Sequence, residues 1–425
     1  MRPFAQHYAV GPVRFFLKLV LNGATSLRAA GRLFSLIGDV LHVSLGEPDW
    51  STGRWWLLRV GLAMFLEAKE HADDWIFFID HSAQVGQEKC LLILGVRAAN
   101  LPAAGTCLQY QHLQPIRIRV LKNPDQQAVY EELETASADT GVPRAIVNDF
   151  GADVHGGVKL FQEKHPETVE IYDITHHCAC LLKRYLEKDE RWSAFTRQVG
   201  QTKTAVQQTE LACLAPPHQR TKARYMNLAT LLAWGTKTLL LLEQPPAELL
   251  AQTTAERLQN KLGWLPAYRE ALAEWSEWHA VVSTAESLLR RHGLSTSTPR
   301  KLARELQPLT GRSSTCQFAR TLRKAVASQT RQLKPGERLA ASTEVLESCF
   351  GKLKVLEKDQ SSQGFTGMVL AVGALFSMLT SSIVHRALET CSVNFVKDWI
   401  KENLGVTVQA QRRRVYQLAD ETKMG

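Results

Sequence analysis

At 425 residues the chain is too long for one ordinary domain and implies two or three. Its 45% hydrophobic and 22% charged residues are the balance of a folded soluble protein rather than a disordered one. A net charge of +9 favours a polyanionic partner, nucleic acid being the commonest, while ribosomal, membrane-surface and ordinary basic enzymes stay open. Eight cysteines without a CxxC pair fit a reduced cytosolic protein whose thiols serve as small buried hydrophobes. Cys178 and Cys180 stand beside His176 and His177, but no second ligand pair at finger spacing accompanies them, and zinc is not expected. No signal peptide is read at the start. The uncharged run from Gly367 to Val384 is short and rich in Gly, Ala, Ser and Thr, so it reads as a buried helix rather than a membrane span.

In chain order, residues 1–70 read as a helical segment. A helix follows Thr25-Ser26, with Leu27, Leu33, Phe34, Ile37 and Leu41 at helical spacing. A turn at Gly46-Glu47-Pro48-Asp49 leads to a second helix, capped by Ser51 or Thr52 and carrying Arg54, Trp55, Trp56 and Arg59. This pair is compatible with helix-turn-helix DNA binding, with Arg54 and Arg59 as candidate phosphate contacts. A plain helical cap on the next domain fits equally well.

Residues 71–188 then change character. Trp75-Ile76-Phe77-Phe78-Ile79-Asp80 is an apolar strand ending in a carboxylate, and strands follow at 90–96 and 116–121. A helix is predicted at 126–136, a strand ending in Asp149 at 144–149, a helix at 154–164 and a fifth strand at 169–173. The order β-β-β-α-β-α-β is that of the ribonuclease H fold, an α/β architecture with a mixed five-stranded sheet and helices on both faces. Residues 189–335 are almost strand-free and read as a large all-α insertion, with many basic residues such as Lys222, Arg224, Arg300, Lys301, Arg320, Arg323 and Lys324. Residues 336–425 complete the core with a long helix from Ser342-Thr343 that carries Glu344 and Glu347, and end in a basic cluster, Arg412-Arg413-Arg414.

The chemistry is read from three acids. Asp80 and Asp149 end strands that are neighbours in the ribonuclease H arrangement, which sets two carboxylates side by side, a costly pairing unless a cation lies between them. Hard oxygen ligands select Mg²⁺ or Mn²⁺. Glu347 is the third acid. Two ions about 4 Å apart activate a water or a 3′-hydroxyl and stabilise the leaving oxygen. Asp153 competes with Asp149, since it suits the start of the following helix. Glu344 competes with Glu347, since it suits the helix dipole. His176 reads equally as a ligand-orienting group or a satisfied structural histidine.

Three blocks resemble the acidic blocks of DDE transposases of bacterial insertion sequences: Ile79-Asp80-His81-Ser82, Val147-Asn148-Asp149-Phe150-Gly151-Ala152-Asp153, and the run from Ser342 to Lys354 around Glu347. Asp173-Ile174-Thr175-His176 is similar to the (C/D)xxH signature of Mutator-like and hAT-like enzymes. The spacing of 198 residues between Asp149 and Glu347 calls for a large insertion, as the resemblance also implies. The resemblance spans roughly residues 75–360 and implies Mg²⁺-dependent cleavage at inverted terminal repeats and strand transfer into target DNA. It further implies supporting roles for Asp173 and His176, Lys352 and Lys354 as DNA contacts, an oligomer at the synapse, no membrane partner, and a bacterial cytoplasmic, nucleoid-associated location. The alternatives are a ribonuclease H-like nuclease without strand transfer and a domesticated DNA-binding protein without catalysis.

Overall fold

In the computed structural model the described residues are 3, 7–43, 46–85, 88–219, 225, 228–358, 366–404 and 412–417. Lys222 and Arg224 lie outside them. The chain divides into two compact units, one formed by Met1–Ile171 with Thr343–Gly425, the other by Tyr172–Ser342.

The first unit opens with three helices: α1 (Val10–Leu21), α2 (Leu27–Leu41) and α3 (Trp50–Leu66). Strands β1 (Trp75–Val85), β2 (Glu88–Arg97) and β3 (Gln114–Lys122) follow, then α4 (Gln126–Thr140), β4 (Ala145–Asn148), α5 (Ala152–Lys164) and β5 (Val169–Tyr172). The sheet order is β3-β2-β1-β4-β5, with β1 antiparallel to β2, β2 antiparallel to β3, and β1 parallel to β4. This mixed sheet with flanking helices is a ribonuclease H-like core. Its central strand is apolar on both sides, and residues Trp75 to Ile79 are all buried, as a strand covered on two faces requires. Strand alternation divides them. Trp75, Phe77 and Ile79 pack with Leu91, Ile93 and Ile146 against Val129 and Leu133 of α4 and Val154, Val158 and Phe161 of α5. Ile76 and Phe78 therefore turn to the opposite face.

The helix α3 is a core helix. Every residue from Trp56 to Leu62 is buried, and α3 packs against β3, α2 and the C-terminal helices of the unit. Its cap is Asp49, whose Oδ1 accepts from Ser51 N at 2.8 Å, instead of the Ser51 or Thr52 suggested by sequence. Arg59 is turned inward, 4% exposed, and its guanidinium donates to the carbonyls of Leu388 and Cys391. Those carbonyls end the helix formed by Ser381–Thr390, where a cation complements both the dipole and the orphan acceptors. This is a different task from the phosphate contact read for Arg59 in the sequence. Arg59→Met is expected to cost about 3 kcal/mol, because it strands buried carbonyls, and chemical denaturation of the purified variant measures it.

After the second unit the chain returns with α14 (Glu344–Lys358), packed against β1. The apolar run at 367–384, expected as one helix, is broken. A 3-10 turn at Gly367–Leu370 leads into a short helix, Ala371–Leu375, and Leu379 then adopts φ +46° before Thr380 caps the helix at Ser381–Thr390. Arg14 of α1 ties this break down, its Nε donating to Leu379 O at 2.6 Å. A last helix spans Val393–Asn403. Arg412, Arg413 and Arg414 are exposed. Among the described residues no helix is long and apolar enough to cross a membrane.

The second unit contains α6 (Ile174–Leu186), α7 (Glu190–Val206), α8 (Leu228–Glu243), α9 (Ala247–Leu250), α10 (Ala255–Leu262), α11 (Arg269–His292), α12 (Thr298–Leu306) and α13 (Ser313–Gln329). Aromatic rings fill its core. Trp192 and Trp275 meet edge to face at 5.0 Å, Phe195 lies 5.2 Å from Trp275, and Trp278 stacks on Phe318 at 5.8 Å. Asp189 caps α7 and also accepts from the Trp275 indole at 3.0 Å, which anchors the cluster to the helix start.

Candidate active site

The parallel pairing of β1 with β4 runs through Phe78 and Val147. Two residues beyond that pair stand Asp80 and Asp149. Asp149 is one residue past the end of β4, but β1 runs on to Val85, so Asp80 lies inside the strand, paired with Leu92 of β2, and not at the strand end read in the sequence. Asp80 follows Ile76 and Phe78 on the face turned away from α4 and α5. Both aspartates are partly exposed. Asp149 Oδ1 accepts from Gly151 N at 2.9 Å, an Asx turn that fixes the carboxylate just past the strand.

A buried network sets that turn. Phe150 sits at φ +59°, a strained conformation for an aromatic residue. Its N–H is held by Asn148 Oδ1 at 2.7 Å, and Asn148 Nδ2 donates to Glu170 Oε1 at 3.0 Å. Glu170, on β5, is 3% exposed and also meets His155 Nδ1 at 2.9 Å and Lys159 Nζ at 3.3 Å. The Lys159 ammonium, the His155 imidazole and the Asn148 amide offset the cost of burying its charge. The His155 ring lies 4.5 Å from that of Phe150. Glu170→Ala leaves the buried Asn148 amide without its acceptor and releases the turn. It is expected to cost about 2–3 kcal/mol of stability and to weaken divalent-ion binding by about 10–100-fold, read by thermal denaturation and titration calorimetry.

Asp149 and Asp153 have different partners. Asp153, in the first turn of α5, lies 2.7 Å from Lys89 Nζ and 3.2 Å from His81 Nε2. Burial pushes the Asp153 carboxyl up, but the Lys89 and His81 contacts outweigh it and hold the group below its ordinary range. The His81 imidazole is pushed down chiefly by burial. Asp153 thus has two basic neighbours engaged on it, whereas Asp149 spends one oxygen on a backbone N–H.

On α14, Thr343 O accepts from Leu346 N at 2.8 Å and from Glu347 N at 3.3 Å, which starts the helix where the sequence placed it. Leu346, Cys349, Phe350 and Leu353 are its buried stripe. Glu347 flanks this stripe and has a carboxylate oxygen shielded from solvent, while Glu344 lies in the first turn. Sequence reading missed the brace on this helix. Tyr110, in a 3-10 turn between β2 and β3, meets Ser348 Oγ at 2.7 Å, and Lys352 Nζ sits 4.4 Å above its ring. Ser348 and Lys352 are one helical turn apart, a spacing that signals a shared face, but nothing in the sequence points that face at Tyr110. Lys354 is exposed, and Arg54 is partly buried with its guanidinium 5.4 Å from the Trp55 ring.

Among the described residues Asp80, Asp149 and Glu347 do not each bring an oxygen within 4.8 Å of the other two. A single ion bound at about 2.1 Å by all three needs that closeness. Two ions about 4 Å apart, sharing one carboxylate, span a wider pocket. The donor set itself, all carboxylate oxygen, suits Mg²⁺ or Mn²⁺.

In the second unit Asp173 is buried and caps α6, accepting from Thr175 N at 3.3 Å. Its other oxygen meets His176 Nδ1 at 2.6 Å. The (D)xxH spacing is thus one turn of helix whose acid both caps the turn and orients the imidazole.

A scan against protein-family models matches none, and a search of curated proteins finds no match. Among solved structures, the chain is similar to one titled "Drosophila P element transposase strand transfer complex". The identity is 11% and the TM-score 0.33, over 95% of this chain and 82% of that one. A likeness of that degree carries no weight for function, and the ribonuclease H-like assignment rests on the strand order.

Proposed function

We propose that the chain is a divalent-metal-dependent polynucleotidyl transferase of the DDE transposase type, acting on double-stranded DNA. The observation that carries this reading is the register of the parallel neighbours β1 and β4, in which Asp80 and Asp149 each stand two residues beyond the last pair, Phe78 with Val147. The helix bearing Glu347 packs on β1. In this reading Asp80, Asp149 and Glu347 hold two Mg²⁺ or Mn²⁺ ions. When bound, the ions lower the pKa of an attacking water or 3′-hydroxyl and stabilise the leaving oxygen. The chain supplies position. The Asx turn at Asp149 and the Glu170 network hold one carboxylate at a fixed place, and the Tyr110 brace fixes the orientation of α14. Exposed Lys354 contacts the DNA backbone, in company with Lys352 and the partly buried Arg54. Glu344 serves the helix start. Two element ends held together call for a homo-oligomer at the synapse.

The test uses duplex DNA taken from the flanks of the gene, a target plasmid and Mg²⁺. A transposase joins the two, a nuclease only cuts the duplex, and a domesticated binder does neither. Joining that requires the divalent ion is the expected result. Joining in excess EDTA contradicts the reading.

A further inference from the structure

We infer that α12 and α13 form a second, metal-independent DNA-holding surface, which grips the duplex backbone without reading its sequence. The inference deepens the function proposed above, in that it assigns a DNA contact to the helical unit. Residues 298–336 contain nine basic residues and one acid, Glu305, a net +8 where the whole chain carries +9. All nine are exposed. On α12 these are Arg300, Lys301 and Arg304, opposite the buried stripe of Thr298, Leu302 and Leu306. On α13 they are Arg320, Arg323 and Lys324, opposite the buried Phe318, Ala319, Leu322 and Val326. The two helices pack on each other, so their outer faces adjoin. Arg312, Arg331 and Lys334 flank them.

Most of this charge is not neutralised by ion pairs among the described residues. Arg304 meets Glu305 at 3.3 Å and Arg312 meets Glu277 at 2.8 Å. Arg300, Lys301, Arg320, Arg323, Lys324 and Arg331 make no ion pair with any described residue. Holding that many like charges together costs self-repulsion, which a polyanion relieves. The dimensions suit duplex DNA. Seventeen residues of α13 rise about 25 Å, over which a duplex presents about fifteen phosphate charges. An anionic membrane is a poorer match, because a surface-lying helix inserts large apolar side chains. None of the exposed large hydrophobic residues lies in 298–336.

The experiment is a fluorescence-anisotropy titration of the full chain with a 30-base-pair duplex of arbitrary sequence, in EDTA, across a series of KCl concentrations. EDTA removes any metal-site contribution, so a failed catalytic assignment does not affect the outcome. Arg320→Glu/Arg323→Glu/Lys324→Glu is expected to weaken binding more than about tenfold and to flatten the salt slope by about 2–3 units, from a loss of about 0.9 per phosphate contact. The corresponding Arg→Lys substitutions at 320 and 323 are expected to retain the affinity. Reversal of Arg412, Arg413 and Arg414 is expected to have a smaller effect. Circular dichroism on each variant checks the fold. An unchanged affinity and slope in the α13 variant overturns the inference. So does tighter, α13-dependent binding to phosphatidylserine vesicles than to DNA.

Discussion

Asp149→Asn is expected to reduce divalent-ion-dependent DNA cleavage at least about 100-fold, beyond the effect typical of an outer-shell partner, with the fold intact. The asparagine amide oxygen still accepts from Gly151 N, so the Asx turn survives and only the charge is lost. Stability is expected to stay within about 0.5 kcal/mol. Asp80→Asn, at the level position on the neighbouring strand, is expected to give the same phenotype. Asp153→Asn is the informative contrast. Its carboxylate is committed to Lys89 and His81, so the change is expected to lower stability by about 1 kcal/mol and to leave cleavage within about tenfold of wild type. Cleavage rates and thermal melts of the three variants, measured together, decide between a metal ligand and a structural ion pair. Equal losses of activity in Asp149→Asn and Asp153→Asn would remove the distinction drawn between them.

The largest stability effect is expected at Gly61. A Cβ there would stand 1.9 Å from Leu370 O, and one at Gly373 would stand 2.2 Å from Gly61 O. The two glycines let the backbones of α3 and the 367–375 segment touch. Both obstacles are backbone atoms inside a packed core, so they cannot swing aside as a flexible side-chain tip would. Gly61→Ala is expected to destabilise the unit by about 3–5 kcal/mol, at the upper end for a point change, because the helix must move away and open the core on both sides. Equilibrium urea denaturation measures it. No loss, or the gain of about 1 kcal/mol that Gly→Ala ordinarily gives inside a helix, would show that the contact is not as tight as drawn.

Much of the fold was legible because burial leaves a period in the sequence. The strands at 75–80, 90–96, 116–121, 144–149 and 169–173 each overlap an observed strand, and α4 and α5 appear where the helical spacing put them. The start of α14 was also readable, since Thr343 marks a cap before the apolar stripe. Other features leave no local signal. Trp56 to Leu62 is buried on every side, so the run has no polar face, and Arg59 within it reads like a surface cation. Only the tertiary position of two helix-end carbonyls explains that arginine. The break at Leu379 comes from a left-handed residue and the Thr380 cap, in a run whose composition looks like continuous helix. At the candidate site, the place of Asp149 just past β4 could be read from an apolar run that stops at an acid, but the same reading ended β1 at Asp80, and the strand runs on to Val85 through polar residues that carry no apolar signal. The engagement of Asp153 by Lys89 and His81 could not, because those residues meet only where β1, β2 and the start of α5 come together. Glu170 was likewise invisible. An acid inside a strand gives no hint that an asparagine 22 residues earlier hydrogen-bonds to it.

The most direct measurement is the binding of Mn²⁺ to the purified full chain, by titration calorimetry and electron paramagnetic resonance, in wild type, Asp80→Asn and Asp149→Asn. Two ions per chain in the wild type, with loss of at least one in each variant and no change in the thermal melt, is the expected result. Mn²⁺ binding identical in all three proteins would contradict the assignment of these carboxylates as the metal site.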